Sequence, residues 1–203
     1  MRKIKLWKNR DEMSDHEAII DDEDYERVVE AIKYKNGKPG KWYAHDPSKG
    51  KLGYVYAWDG DHRKSMHRVI MDPPKGMDID HINGDTLDNR KENLRICTRS
   101  QNAQNKKLRR DSASGYKGVH EQKKPSRRKY VSKKTGKVTY HYYMPKKRFK
   151  AYIGEPDWRE KGLKNSRINL GRYDTAEEAA RVRDKKAKEL HGEFAYLNFP
   201  EEV

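Results

Sequence analysis

The sequence predicts an α+β fold built as two small domains, and three observations carry that reading. Apolar residues make up 33% of the 203 positions and charged residues 39%, too lean a mixture for one large core. Four Trp and thirteen Tyr nonetheless call for packed structure, against the disorder that low hydrophobicity and high charge otherwise favour. Short β-type runs and short amphipathic helices follow one another in both halves, and a basic, small-residue stretch at 106–115 separates them. The boundary is placed there, giving domains 1–108 and 109–203.

In the first half, residues 21–35 read as a helix. Tyr25, Val28, Val29 and Ile32 recur at helical spacing, acids crowd the first turn and Gly37 ends it. Two aromatic β-like runs follow, 41–45 and 52–58, around the turn-forming 46–50. Beyond Pro73-Pro74, the run 77–82 alternates as a strand. Asn83-Gly84-Asp85 opens a polar loop to Asn93, 94–97 is a second strand, and Thr98 caps a helix covering 100–108. In the second half, 116–120, 148–153 and 167–173 read as strands separated by hydrophilic insertions at 121–146 and 154–165. The last helix is the most clearly written: Thr175 and Glu178 form a capping box, alanines line one face, and Gly192 stops it.

The charge is localised. Residues 106–150 hold 17 Lys or Arg against two acids, Asp111 and Glu121, a surplus equal to the net charge of +15 for the whole chain. Such a concentration is the footprint of a polyanion partner, because cations near phosphates release condensed counterions; a solvated charge run explains it equally well when the segment is taken alone. No amphipathic helix with a broad apolar face accompanies it, which disfavours a membrane surface. A lone Cys97 excludes an internal disulfide and a cysteine-cluster zinc site. Lys8, Arg10, Asp11 and Glu12 interrupt the N-terminus before any signal-peptide core forms, and no run reaches membrane-spanning length. The expected setting is intracellular and cytoplasmic, with no membrane and no obligate protein partner.

The chemistry-bearing residues are Asp80-His81, Asn93 and Asn102, separated by 12 and 9 positions. Phosphodiester hydrolysis requires a base for the attacking water, a cation for the charge developing on phosphate, and a group that aims the base. His81 suits the base. Oxygen donors from Asp80 and Asn102 suit Mg2+ or Mn2+ better than zinc, and Asn93 is positioned to orient His81. Turn formation by Asn and Asp beside glycine, and a structural role for a lone His, are the alternatives. The ordered series Asp80-His81-Ile82-Asn83-Gly84-Asp85, Leu87-Asp88-Asn89-Arg90, Glu92-Asn93-Leu94-Arg95 and Ser100-Gln101-Asn102 closely resembles the HNH family of phage and intron-encoded homing endonucleases. The resemblance implies a ββα-metal fold with His81 as general base, Asp80 and Asn102 as ligands of one divalent metal, and Asn93 orienting His81. His67 and Arg68 match the family's His-Arg segment and are taken as supporting residues.

The last third resembles the AP2 DNA-binding domain over about 114–201: Gly115-Tyr116-Lys117-Gly118-Val119, Arg148-Phe149-Lys150-Ala151-Tyr152-Ile153, Ile168-Asn169-Leu170-Gly171-Arg172-Tyr173, then Asp174-Thr175-Ala176-Glu177-Glu178-Ala179-Ala180 and Leu197-Asn198-Phe199-Pro200. This implies a three-stranded antiparallel sheet packed on one helix, with the sheet entering the major groove. It also implies Lys117, His120, Arg148, Arg167 and Arg172 as DNA contacts. It is the family resemblances of the two halves that imply double-stranded DNA as the partner. Phe149 and Asn169 stand where that family has tryptophan. The insertion at 121–146 is either a clamp on the DNA backbone or an unfolded arm. The expected function is a site-targeted endonuclease of homing type that nicks one strand. The alternatives are a DNA-binding regulator with an inert nuclease motif and, more distantly, an RNA-binding protein.

Overall fold

The computed structural model describes residues 1–34, 37–44, 53–58, 61–108, 112–156, 161–162 and 166–202. They form two compact units, Met1–Asn105 and Lys106–Val203.

The first unit opens on an antiparallel hairpin, β1 (Arg2–Trp7) and β2 (Met13–Ile20), with an irregularity between Lys5 and Trp7. After it come α1 (Tyr25–Glu30), β3 (Tyr43–Ala44), β4 (Val55–Trp58), β5 (Arg63–Ser65) and α2 (Met66–Met71). Five strands join in the order β2-β1-β3-β4-β5, with β1 and β3 parallel and every other pair antiparallel. The unit ends on a two-stranded antiparallel ribbon, β6 (Asp78–His81) with β7 (Leu94–Cys97), and on α3 (Arg99–Gln104). Leu6, Ile20, Val28, Val55, Met66, Ile70, Ile79 and Leu94 share one core, so the ribbon is fastened to the large sheet through Ile79 and Leu94.

The expected helix over 21–35 is shorter. A 3-10 turn at Asp22–Asp24 precedes α1, and the chain turns again at Tyr34, whose carbonyl accepts from the Gly37 amide. The acids ahead of α1 are spent on tertiary ties instead of a first helical turn: Asp22 meets the N-terminal amine and Arg2, and Glu23 and Asp24 both meet Lys91. The β-like runs narrow to β3 and β4, with 41–42 and 53–54 outside the strands, while 45, 52 and the expected turn at 46–50 lie outside the described residues. Thr98 caps α3 as expected, within a full capping box closed by Gln101, but the helix ends at Gln104.

The second unit contains β8 (Val119–Glu121), β9 (Ser126–Val131), β10 (Val138–Tyr143), β11 (Phe149–Gly154), β12 (Arg167–Tyr173) and α4 (Ala176–His191). The sheet β12-β11-β8 is antiparallel throughout. Alanines 176, 179 and 180 bring α4 close to Val119 and Ala151, and Phe149, Leu170, Tyr173 and Phe199 fill the margins. The Thr175 hydroxyl accepts from the Glu178 amide, while the Glu178 carboxylate reaches the Asp174 amide, one residue short of a closed capping box. Lys117 and Gly118 do not extend β8 as expected. Gly118 has φ +75°, and a Cβ there would lie 2.5 Å from the Tyr152 carbonyl oxygen, so the turn into the sheet requires glycine. Within 121–146 the chain is not an unfolded arm, because β9 and β10 pair as a hairpin.

Candidate active site and nucleic-acid interface

In the β6–β7 ribbon His81 pairs with Leu94 and Asp80 with Arg95. Neighbouring side chains on a strand point to opposite faces, so the two central residues of the motif serve two different surroundings. His81 is 4% exposed and faces the rings of His67 on α2, 5.4 Å away, and Tyr54 ahead of β4, 5.7 Å away. Tyr54 also lies 5.0 Å from His67 and is itself open to solvent. Burial lowers the basicity of both imidazoles. For His81 the Asn89 amide and the carboxylates of Asp80, Asp85 and Asp88 act in the other direction, whereas for His67 the neighbouring His81 and Arg68 add to burial and hold it down to about 3. Both His81 ring nitrogens are buried, and neither makes a hydrogen bond of full geometry among the described residues, although the Asn89 side chain is close enough to raise the ring's basicity; such an arrangement has a cost unless a partner arrives.

Asp80 is held on the other face. Arg95 Nε and Nη2 donate to its Oδ2 at 3.0 and 2.7 Å, and Asn105 Nδ2 donates to its two oxygens at 3.2 and 3.0 Å. The same Asn105 amide reaches the carbonyls of His81 and Ile82, so the end of α3 is fastened to the end of β6. Asp80 Oδ1 takes only this one amide bond among the described residues and keeps lone pairs for a cation. Asn102, the expected second ligand, is half-buried on α3 one turn before Asn105, which places it on the Asp80 side of that helix. Among the described residues no cluster of three His, Cys, Asp or Glu side chains could hold a metal. One carboxylate, one amide and water or phosphate oxygens make a donor set that fits a magnesium-like ion and not a protein-caged zinc.

Among the described residues the Asn93 side chain makes no hydrogen bond to the His81 ring, contrary to expectation. Its Nδ2 donates to the Asp88 carbonyl at 2.7 Å and its Oδ1 accepts from the Asn83 amide at 3.0 Å. Both ends of the amide are consumed in closing the 83–93 loop, which the Asn89 amide then docks on the Ile19 carbonyl of β2 at 2.8 Å. Arg68 is also structural, gripping the Met77 carbonyl at 3.0 and 3.2 Å just ahead of β6. Cys97 is buried, and burial pushes its thiol up to about 11, which removes it as a nucleophile. The sequence reading missed Arg95, Asn105, Tyr54 and Asn89. Arg95 follows from the motif once β6 and β7 are set in register; Tyr54, 27 positions before His81, carries no local signal.

In the second unit, Phe149, Ala151 and Ile153 of β11 face α4 and its margins, so Lys150 and Tyr152 occupy the opposite face. Pairing puts His120 and Arg172 on either side of Lys150 in one cross-strand row. Asn169 pairs with Tyr152, and Arg167 lies two positions from Asn169 on the same side. Of the expected contacts, His120, Arg167 and Arg172 therefore share the face away from α4, with His120 and Arg167 exposed and Arg172 half-buried; they are joined by Lys150 and Tyr152, also half-buried, which period-two alternation in β11 would have revealed. Arg148 ion-pairs with Glu121. Lys117 turns inward: its ammonium donates to the Lys106 carbonyl at 2.6 Å and sits over the Tyr196 ring, and burial pulls it down to about 8.

In comparison with known proteins, the family match falls within the first unit. Residues 72–104 match the HNH endonuclease family model, a span that contains β6, β7, the loop between them and α3. The chain is 27% identical over 165 residues to an uncharacterized HNH endonuclease of Acanthamoeba polyphaga mimivirus, covering 78% of this chain and 66% of the relative. It is 34% identical over 76 residues to a protein named as an SPbeta prophage-derived HNH homing endonuclease of Bacillus subtilis (strain 168), covering 35% of this chain and 44% of that one. The chain thus spans less than two thirds of the length of either relative. No solved structure matches it. These matches support a nuclease of HNH endonuclease type. Among the described residues no helix is long and apolar enough to cross a membrane.

Proposed function

We propose that the chain is a metal-dependent DNA endonuclease of homing type, in which the first unit cuts and the second binds DNA as an AP2-like module. One observation carries the reading: inside the segment that matches the HNH family, a buried histidine whose ring nitrogens make no hydrogen bond of full geometry among the described residues adjoins an aspartate whose Oδ1 remains available to a cation.

His81 takes the proton from the attacking water. It is a neutral acceptor because burial disfavours its cationic form. Asn93 acts at one remove, closing the loop that begins directly after His81, and Asn89 and Tyr54 fix the ring's surroundings. Asp80 and Asn102 would hold the metal, with Arg95 and Asn105 fixing the Asp80 carboxylate by hydrogen bonds. When bound, Mg2+ or Mn2+ would neutralise the charge developing on the phosphate and the leaving oxygen. One base and one metal serve one strand, so a monomer nicks, and a double-strand break requires a second copy or a second event. His120, Lys150, Tyr152, Arg167 and Arg172 face the DNA.

The metal assignment is tested by Asp80→Ala and Asn102→Ala. Each should raise the Mg2+ or Mn2+ concentration needed for half-maximal cutting of supercoiled DNA while leaving DNA affinity in EDTA unchanged. Metal dependence identical to the native chain in both variants would remove them as ligands.

A further inference from the structure

The connection between β8 and β11, neighbours in the three-stranded sheet, could have been a tight turn. Instead it extends into the β9–β10 hairpin, whose strands pair without a slip from Ser126↔Tyr143 to Val131↔Val138. This hairpin belongs to neither core and forms a sheet of its own. Every residue of β10 is exposed, Tyr142 at 68%, and Tyr130, Val131, Tyr140 and Tyr143 are exposed as well. A lone two-stranded hairpin is marginal in water, and large exposed apolar groups gathered in one element mark a contact surface.

Its chemistry says what that surface meets. No Asp or Glu occurs from Gln122 to Gly154, whereas Arg127, Arg128, Lys129, Lys133, Lys134 and Lys137 lie on the hairpin and its turn. Alternation divides it into two faces. One carries Arg127, Lys129, Tyr140 and Tyr142, with Arg127 over the Tyr140 ring at 4.5 Å; the other carries Arg128, Tyr130, His141 and Tyr143, with the Tyr130 and His141 rings edge to face at 4.7 Å. Both sides of the ribbon thus carry cations and aromatics. A single strand stacking on an aromatic platform would cover one face and leave the other bare. A groove, with a phosphate wall on each side, covers both. Six residues of strand extend roughly 20 Å, and the major groove of B-form DNA, about 12 Å wide, admits a two-stranded ribbon.

We propose that β9–β10 is a second DNA-reading element, a ribbon that enters the major groove of duplex DNA with its cations on both phosphate walls and its tyrosines toward the base edges and sugars. This rests on the reading that DNA is the substrate, and it differs from a backbone clamp in requiring both faces.

The test uses the full chain in EDTA, so that binding is measured without cutting. The probes are a mixed-sequence 40-base-pair DNA duplex, its separated single strand and an RNA duplex of the same sequence. One variant carries Arg127→Gln, Lys129→Gln, Tyr140→Ser and Tyr142→Ser; the other carries Arg128→Gln, Tyr130→Ser and Tyr143→Ser. Each should bind duplex DNA about tenfold or more weakly, with a salt slope reduced by about 0.9 for each lost phosphate contact, and with an unchanged melting temperature because the altered side chains support no core. RNA duplex should bind at least about tenfold less tightly than DNA duplex, its major groove being too narrow for a ribbon. Native duplex affinity in both variants overturns the proposal, as does loss from one face only, or loss confined to the single strand. Cutting by the native chain in Mg2+ is scored separately. Cutting with unaffected hairpin variants removes the ribbon and keeps the nuclease; hairpin-dependent binding without cutting does the reverse.

Discussion

Burial divides the labour among the residues around β6. The Asp80–Arg95 pair has side chains 8% and 11% exposed, so Arg95→Met strands a carboxylate with only the Asn105 amide for support. Loss of one partner of a buried pair typically costs about 3–5 kcal/mol, and thermal melting of the variant should fall accordingly; a melting temperature within a degree of native would mean that water already compensates Asp80. His67 adds a pH dependence of known sign. Its folded value, about 3, lies below the ordinary 6.5, so the unfolded chain binds more protons between those limits and stability is lost as pH falls below about 6.5. In His67→Gln the decline in melting temperature between pH 7 and pH 4 should be shallower than in the native chain. An equal decline would assign the acid sensitivity to other groups.

At the scale of elements, α4 depends on small side chains where it meets the sheet. Ala179 and Ala180 are fully buried, and Ala180→Leu should destabilise the second unit by about 1–3 kcal/mol through overpacking, read as a lower melting transition. Unchanged stability would mean that the helix can ride outward without loss. This helix was legible because its cap, its alanine face and its terminal glycine are all local signals, and β6, β7 and the start of α3 were legible for the same reason. The hairpin β1–β2 was not anticipated. Lys3-Ile4-Lys5-Leu6 does alternate, and Leu6 and Ile20 are fully buried, but that pattern is short and its partner strand is rich in acids. The hairpin β9–β10 went unread because both its faces are polar and aromatic, so alternation never separates a buried side from a wet one. At both candidate sites, contacts that the motifs do not spell out decide what the named side chains touch. Asn93 closes a loop and Lys117 turns inward because of Asp88, Asn83 and Lys106, whose backbone positions no spacing rule gives.

On the scale of the whole molecule, the basic excess and the segment matching the HNH family lie in different units. The basic excess starts at Lys106, while the segment matching the HNH family ends at residue 104. A chain cut to residues 1–108 should therefore keep weak, unselective cutting and lose most of its DNA affinity, together with the steep salt dependence that several phosphate contacts confer; full affinity in the short chain would refute this division. The central claim, that His81 is the base of a nuclease, is tested most directly by comparing the native chain with His81→Ala on supercoiled DNA in Mg2+, with EDTA as control and duplex binding measured in parallel. The account predicts that nicking falls by about 10²–10⁴-fold while binding is unchanged. Equal nicking by the two proteins would contradict it, and absence of metal-dependent nicking in the native chain would leave a DNA-binding protein with an inert nuclease motif.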